Sequence, residues 1–421
     1  MKKTLTIILI LTISNTYSQS VNKVFTSDID NFWIAFDSIQ QTNSYSKKLY
    51  FINKLYIEKG TKGLKAFMKA ENYSDTTYIN VIDKFPDFWK SIRRNTFVLK
   101  GKTNELDAPI ANLKKLYPTL KDAEIYFTIG CLDAAGKISN NMVLMGLEVS
   151  AGSLATGAYE LKSFDKFASL NIHEYVHTQQ KLKSSNQLLN KVIQEGSCDF
   201  IAELALDQPM QRQYVSYGNL HFDRLKEQFK KEMFLSDWSN WLYNGPQRGD
   251  STDLGYFMGY EISKSYYQRA KNKAQAIKDI IELDFSNNKD VELFFKRSGF
   301  YKKFNKKKLT KEYEKKLPRI VKIGPFKNGA HNVDPKINEF SITFSKEMIS
   351  GNVSIDYSEK GKDYFPVKKL IRYENNDRIC VLSIELQPGK EYEFIITNRR
   401  FESKDGYPLK EGKYLVKFRT R

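Results

Sequence analysis

Two histidines in this chain, His173 and His177, stand four residues apart, and Glu174 directly follows the first. On a helix, residues four apart lie on one face, one turn apart, so both imidazoles can close on a single metal ion. Glu174 points toward the same side, within reach of a water held by that ion. A catalytic zinc takes three protein ligands and keeps one position open for water, so a third ligand must come from elsewhere. Glu195 follows His177 by 18 residues. That is enough for the first helix to end, a loop to reverse the chain and a second helix to return alongside. The chemistry in view is hydrolysis, with Glu174 taking a proton from the attacking water.

The elements that must position these groups carry the right pattern. Phe164, Phe167, Ala168, Leu170 and Ile172 precede His173 at helical spacing, and Leu188, Leu189, Val192, Ile193, Phe200, Ile201 and Leu204 surround Glu195 in the same way. HExxH is short and also occurs in helices that bind nothing. Against that stand the four histidines of the whole chain, two of them here. Imidazoles and carboxylates inside apolar helices are costly to bury without a metal or partners.

His173-Glu174-Tyr175-Val176-His177 followed by Glu195-Gly196-Ser197-Cys198-Asp199 resembles the gluzincins, the thermolysin-like superfamily, whose second motif is Glu-x-x-x-Asp. The resemblance implies that His173, His177 and Glu195 are zinc ligands. It makes Glu174 the general base and Asp199 the acceptor that orients a ligand histidine, His173. It also implies a substrate-binding strand beside the cleft. The segment 24–316, through Thr26-Ser27-Asp28-Ile29-Asp30-Asn31-Phe32-Trp33 and the two motifs, is also similar to the Bacteroidetes zinc-protease family called DUF2268.

Taken in order, the chain opens with Lys2, Lys3, an apolar run from Leu5 to Ile13 and small residues at Thr16-Tyr17-Ser18, which read as a signal peptide over 1–18. Such a run is too short to span a bilayer, which needs roughly 20 residues. The expected address is extracytoplasmic: periplasmic, cell-surface or secreted. Residues 25–118 read as helices. Glu124 to Ile129 and Met142 to Val149 read as strands, with a loop over 130–141; the resemblance implies that the second is an edge strand that borders the cleft and pairs with the substrate backbone. Trp238, Trp241 and Tyr243 are expected to pack under the site, and Gly245-Pro246 to turn. A helix opens near Asp253, its glycines suited to a close approach. Tyr256, Tyr260 or His221 is a candidate donor to the oxyanion of a scissile carbonyl.

From about 320 onward short alternating runs such as Phe340, Ile342, Phe344 and Tyr392, Phe394, Ile396 describe a β-sandwich. Its turns and strand ends resemble bacterial Ig-like domains of the SbsA type, which implies spacing, docking or surface attachment. The fold expected is α+β: a mostly helical zincin-like domain over 19–317, then an all-β Ig-like sandwich over 318–421.

Lys and Arg number 67 against 49 Asp and Glu, a formal charge of +18, and removing Lys2 and Lys3 with the leader leaves +16. The charges are spread along the chain except for lysines between Tyr301 and Arg319, which read as a solvated helix face or a contact for an anionic envelope polymer. No nucleic-acid partner is expected. Three cysteines cannot form a disulfide framework, and at most Cys131 and Cys198 would pair. The function expected is an exported zinc metallopeptidase acting on peptides or proteins. The alternative is a non-catalytic envelope or adhesion protein that uses the same scaffold for binding.

Overall fold

The computed structural model describes residues 23–152, 164–181, 183–244 and 252–421. The expected signal peptide and the Gly245-Pro246 turn lie outside them. The chain is α+β and divides into two compact units, Met1–Lys303 and Phe304–Arg421.

The first unit begins with a short strand not anticipated from the sequence, β1 (Lys23–Phe25). Six helices follow: α1 (Ser27–Gln40), α2 (Tyr45–Ile52), α3 (Lys62–Glu71), α4 (Asp75–Lys84), α5 (Pro86–Gly101) and α6 (Asp107–Leu116). In α1 the residues Ile29, Phe32, Trp33, Phe36 and Ile39 recur at three- and four-residue intervals and are all buried. The Trp33 indole N–H reaches Thr96 Oγ1 at 2.9 Å, which ties α1 to α5.

Next come β2 (Glu124–Thr128), β3 (Gly136–Ser139) and β4 (Met142–Gly146), joined with β1 in one sheet of order β1-β2-β4-β3. β1, β2 and β4 run parallel, and β3 is antiparallel to β4. This corrects two expectations. Met142–Gly146 is interior to the sheet, and it gives way to α7 (Leu147–Ala151) instead of continuing to Val149. The edge is β3, inside the stretch read as a loop. Gly136, Ser139 and Asn140 are turn residues by type and hide so short a strand. Asn140, at φ +55°, sits in the two-residue connection that returns β3 onto β4.

The remaining helices are α8 (Phe164–His177), α9 (Leu188–Leu206), α10 (Gln213–Leu220), α11 (Phe222–Glu232), α12 (Leu254–Arg269), α13 (Lys273–Ile281) and α14 (Asn288–Ser298). α9 and α12 cross with glycines face to face. A Cβ on Gly259 would lie 1.6 Å from the Val192 carbonyl oxygen, so no larger residue allows this approach. The contact fixes α9 at Val192 and Gly196, on either side of Glu195.

The second unit opens with α15 (Lys306–Lys316), which has no buried residue. Seven strands follow: β5 (Ile320–Gly324), β6 (Glu339–Phe344), β7 (Ile355–Tyr357), β8 (Val367–Glu374), β9 (Ile379–Ile384), β10 (Glu391–Thr397) and β11 (Lys413–Arg419). They form one sheet of order β5-β6-β9-β8 and another of order β11-β10-β7. Phe340, Ile342 and Leu382 from the first share one core with Phe394, Ile396 and Val416 from the second, so the unit is a sandwich. Cys131, Cys198 and Cys380 are all free and buried, which removes the considered Cys131–Cys198 bridge. Among the described residues no helix is long and apolar enough to cross a membrane.

Candidate metal centre

α8 and α9 bring His173, His177 and Glu195 together. The two Nε2 atoms are 3.0 Å apart, and Glu195 Oε2 lies 3.2 Å from His177 Nε2 and 3.6 Å from His173 Nε2. The far side of each ring is already engaged. His173 Nδ1 is 2.8 Å from Asp199 Oδ1, and a carboxylate only accepts, so Nδ1 carries the proton. The Tyr214 hydroxyl donates to the other Asp199 oxygen. His177 Nδ1 is 2.8 Å from Gln180 Oε1 and 3.3 Å from Cys198 Sγ. With both Nδ1 atoms occupied, the two Nε2 lone pairs and a carboxylate oxygen converge on one point. Three acceptors at such distances repel unless a proton or a metal ion lies among them.

The electrostatics point the same way. Burial opposes charge on His173, but Asp199, then Glu195 and Glu174, outweigh it and push the ring up to about 10. For His177 burial again opposes the charge, while the Cys198 sulfur and the Glu195 carboxylate raise it well above its ordinary value. Burial would raise Glu195 and Asp199, yet the adjacent imidazoles hold both below the usual carboxylate range. Burial pushes the Cys198 thiol up to about 11, so it is neutral near neutral pH and a poor ligand. A pocket that keeps its carboxylates ionised and draws charge onto its rings suits a divalent ion. Two imidazoles and one carboxylate are the donor set zinc favours in sites that leave a position open.

A cavity of about 310 Å³ opens onto this cluster. Glu174, His177, Glu195, Tyr243 and Tyr256 line it from one side, and Gly136 and Ile138 of the edge strand β3 from the other. A Cβ on Gly136 would stand 2.8 Å from Glu174 Cγ and Oε1, so the strand backbone rests directly on this side chain.

The three residues considered as oxyanion donors separate. Tyr256 lines the cavity, with its ring 6.0 Å from that of His173. Tyr260 does not: its hydroxyl donates to Glu203 Oε2 at 2.7 Å. His221 sits at the junction of α10 and α11, its ring 4.4 Å from Tyr217, and takes no part in lining the cavity. Trp241 is buried and packs edge-on against Phe229.

Three participants were not read from the sequence, and a fourth, Tyr243, was expected only to pack under the site. The Tyr243 hydroxyl donates to Glu195 Oε1 at 2.7 Å, leaving Oε2 toward the histidines. Tyr214 supports Asp199, and the Arg212 charge acts on Asp199 and Tyr214. Gln180, three residues after His177, was legible in principle as a helical neighbour. Tyr214 and Arg212 come from the start of α10, outside both motifs, and leave no local mark.

No protein-family model matches this chain. No curated protein matches it either. Among solved structures it is similar to CopC from Methylosinus trichosporium OB3b, at 17% identity over 24% of this chain and 92% of that one, with a TM-score of 0.19. It is also similar to domains 1–6 of the surface layer protein SbsC, at 13% identity over 60% of this chain and 33% of that one, again with a TM-score of 0.19. Likenesses at that level carry no argument about fold or function.

Proposed function

We propose that this chain is an exported zinc metallopeptidase of the gluzincin kind. The observation that carries the reading is the convergence of His173 Nε2, His177 Nε2 and Glu195 Oε2 while both Nδ1 atoms are engaged elsewhere. Zinc bound by these three atoms would polarise a peptide carbonyl and acidify a water. Glu174, in the same cavity, takes the proton from the attacking water and delivers it to the leaving amine nitrogen. Asp199 holds the His173 ring in its orientation, and Tyr243 holds Glu195. Of the three donors considered, Tyr256 is the one that lines the cavity, and in this reading it donates to the carbonyl oxygen as charge develops there.

An extended peptide is the substrate class this cleft supports. β3 is an edge strand, so one side of its backbone keeps unpaired N–H and C=O groups. A peptide laid along it as a further strand would pass Glu174 at Gly136. The sandwich unit serves attachment or spacing in this reading. The exposed lysines of α15 are the contact for an anionic envelope polymer.

The test is Glu174→Gln, measured by zinc content and by cleavage of a peptide library. The variant should retain one zinc per chain and lose cleavage by at least about 100-fold. Cleavage at the wild-type rate would remove Glu174 from its role. A wild-type protein that binds no zinc would remove the whole proposal.

A further inference from the structure

Gln180 lies just beyond the end of α8 and is 6% exposed. Its Nε2 is 3.0 Å from Ser197 Oγ and 3.2 Å from the Gln194 carbonyl oxygen. The carbonyl can only accept. Ser197 Oγ spends its own proton on that same carbonyl, at 3.0 Å, and so offers Gln180 only a lone pair. Both neighbours therefore demand a donor. Only the amide nitrogen supplies one, because the amide turned by half a rotation would set oxygen against oxygen. The Oε1 end then faces His177 Nδ1 at 2.8 Å, where it can only accept.

The consequence passes to the ring. Nδ1 of His177 must carry a proton whether the imidazole is neutral or charged. The other ring nitrogen, Nε2, is then the one that faces His173 and Glu195. Cys198 Sγ, at 3.3 Å, is the competing neighbour of Nδ1, but a neutral thiol is a weak acceptor beside an amide oxygen.

We infer that Gln180 is a positioning residue that locks His177 with Nε2 toward the ion, an inference that rests on the metal reading above. The same side chain ties the end of α8 to Gln194 and Ser197, which flank Glu195 on α9. One amide thus sets the tautomer of one ligand and the placement of another before an ion arrives. It does so without adding charge, unlike Asp199 behind His173. The pocket already holds Glu174, Glu195 and Asp199, and a fourth carboxylate behind His177 would add repulsion to an already anionic site.

The experiment uses the full chain stripped of metal. Zinc affinity is measured by competition with a chromogenic chelator. In the zinc-loaded protein, the His177 Nδ1–H signal and its exchange with solvent are followed by nitrogen-15 NMR. Gln180→Leu removes the acceptor and should weaken zinc binding about 10- to 100-fold and speed Nδ1–H exchange. Gln180→Glu keeps an acceptor at the ring and should retain the Nδ1–H signal that Gln180→Leu loses, although it gives up the donor to Gln194 and Ser197. Ser197→Ala frees one anchor of the amide without touching the ring and should show a smaller loss than Gln180→Leu. It also decides the matter if Gln180→Leu fails to fold. Unchanged affinity and exchange in Gln180→Leu, or in Ser197→Ala where that is the deciding variant, overturn the inference. A wild-type chain that binds no zinc overturns the metal reading instead, and the two failures are therefore distinct.

Discussion

Replacing Gly136 with alanine probes the cleft at its narrowest point. The new Cβ would lie 2.8 Å from Glu174 Cγ and Oε1 and 2.9 Å from Cδ, whereas ordinary contact begins at 3.4 Å. Glu174 must therefore retreat by about 0.6 Å or the edge strand must lift by as much. The backbone of Gly136 is not in the left-handed region, so the substitution carries no conformational strain of its own. The atoms it meets belong to a flexible side chain, and the cost to stability should stay below about 1 kcal/mol. Catalysis is far less tolerant. A displacement near 1 Å of a reacting group can cost about 100-fold, so Gly136→Ala should lower kcat by about 10- to 100-fold. Zinc content and denaturant midpoint should match wild type, because neither His nor Glu195 is touched. The assay pairs peptide cleavage kinetics with metal analysis and equilibrium unfolding on the same preparation. A kcat equal to wild type would refute the placement of the base against β3. Loss of zinc would show that the strand supports the ligands and not Glu174.

Two further outcomes follow from the same geometry. Tyr243→Phe removes the hydroxyl that holds Glu195 Oε1 at 2.7 Å, and zinc affinity by chelator competition should fall about 10-fold; an unchanged value would make that contact incidental. Glu148 is fully buried against the backbone N–H groups of Gly130 and Leu132, in the segment that leads from β2 to β3. Burial pushes it up to about 7 from 4.5, so the folded chain keeps a proton that the unfolded chain releases. Its stabilising contribution is full below pH 4.5 and is lost as pH rises through about 7, a span worth about 3 kcal/mol. Glu148→Gln cannot ionise. Relative to wild type it should gain about that much between pH 4 and pH 8 in denaturant unfolding, and a constant difference would refute the assignment.

The parts of this molecule that were legible in its sequence are those whose signal is local. His173, Glu174 and His177 share one helical turn, and Glu195 and Asp199 share another, so spacing alone sets each group on one face. The strands β6, β10 and β11 alternate buried and partly exposed residues, and α1 shows a repeating apolar face. What stayed hidden is what tertiary packing decides. β3 is four residues with turn-forming Gly136 and Ser139 at its ends and Ile138 as its one strand-forming residue, and it extends against β4. Tyr214 and Arg212 reach the site from the start of α10 and the residue before it, and nothing near them in sequence marks the destination; Tyr243 was expected under the site, but its hydrogen bond to Glu195 was not. Tyr260 was considered beside Tyr256, but four residues along α12 it meets Glu203 at the far side of the glycine crossing. The helix positions of the two tyrosines are similar, and only the neighbour of each separates them.

Three residues without a reactive group therefore set the geometry of the candidate site. Gly259 lets α12 press on α9 and so fixes the helix that carries Glu195. Gly136 lets β3 rest on Glu174. Gln180 sets which nitrogen of His177 faces His173 and Glu195. Their effects fall on different links of the chain from packing to function. A larger residue at position 259 meets backbone atoms, which cannot yield, so it should cost folding before it costs activity. One at position 136 meets a side chain, so it should cost turnover while folding persists. A change at position 180 alters an acceptor, so it should register first in metal affinity. Separating unfolding, turnover and zinc binding across these three positions distinguishes a preorganised hydrolytic site from a helix pair that merely places two imidazoles near a carboxylate.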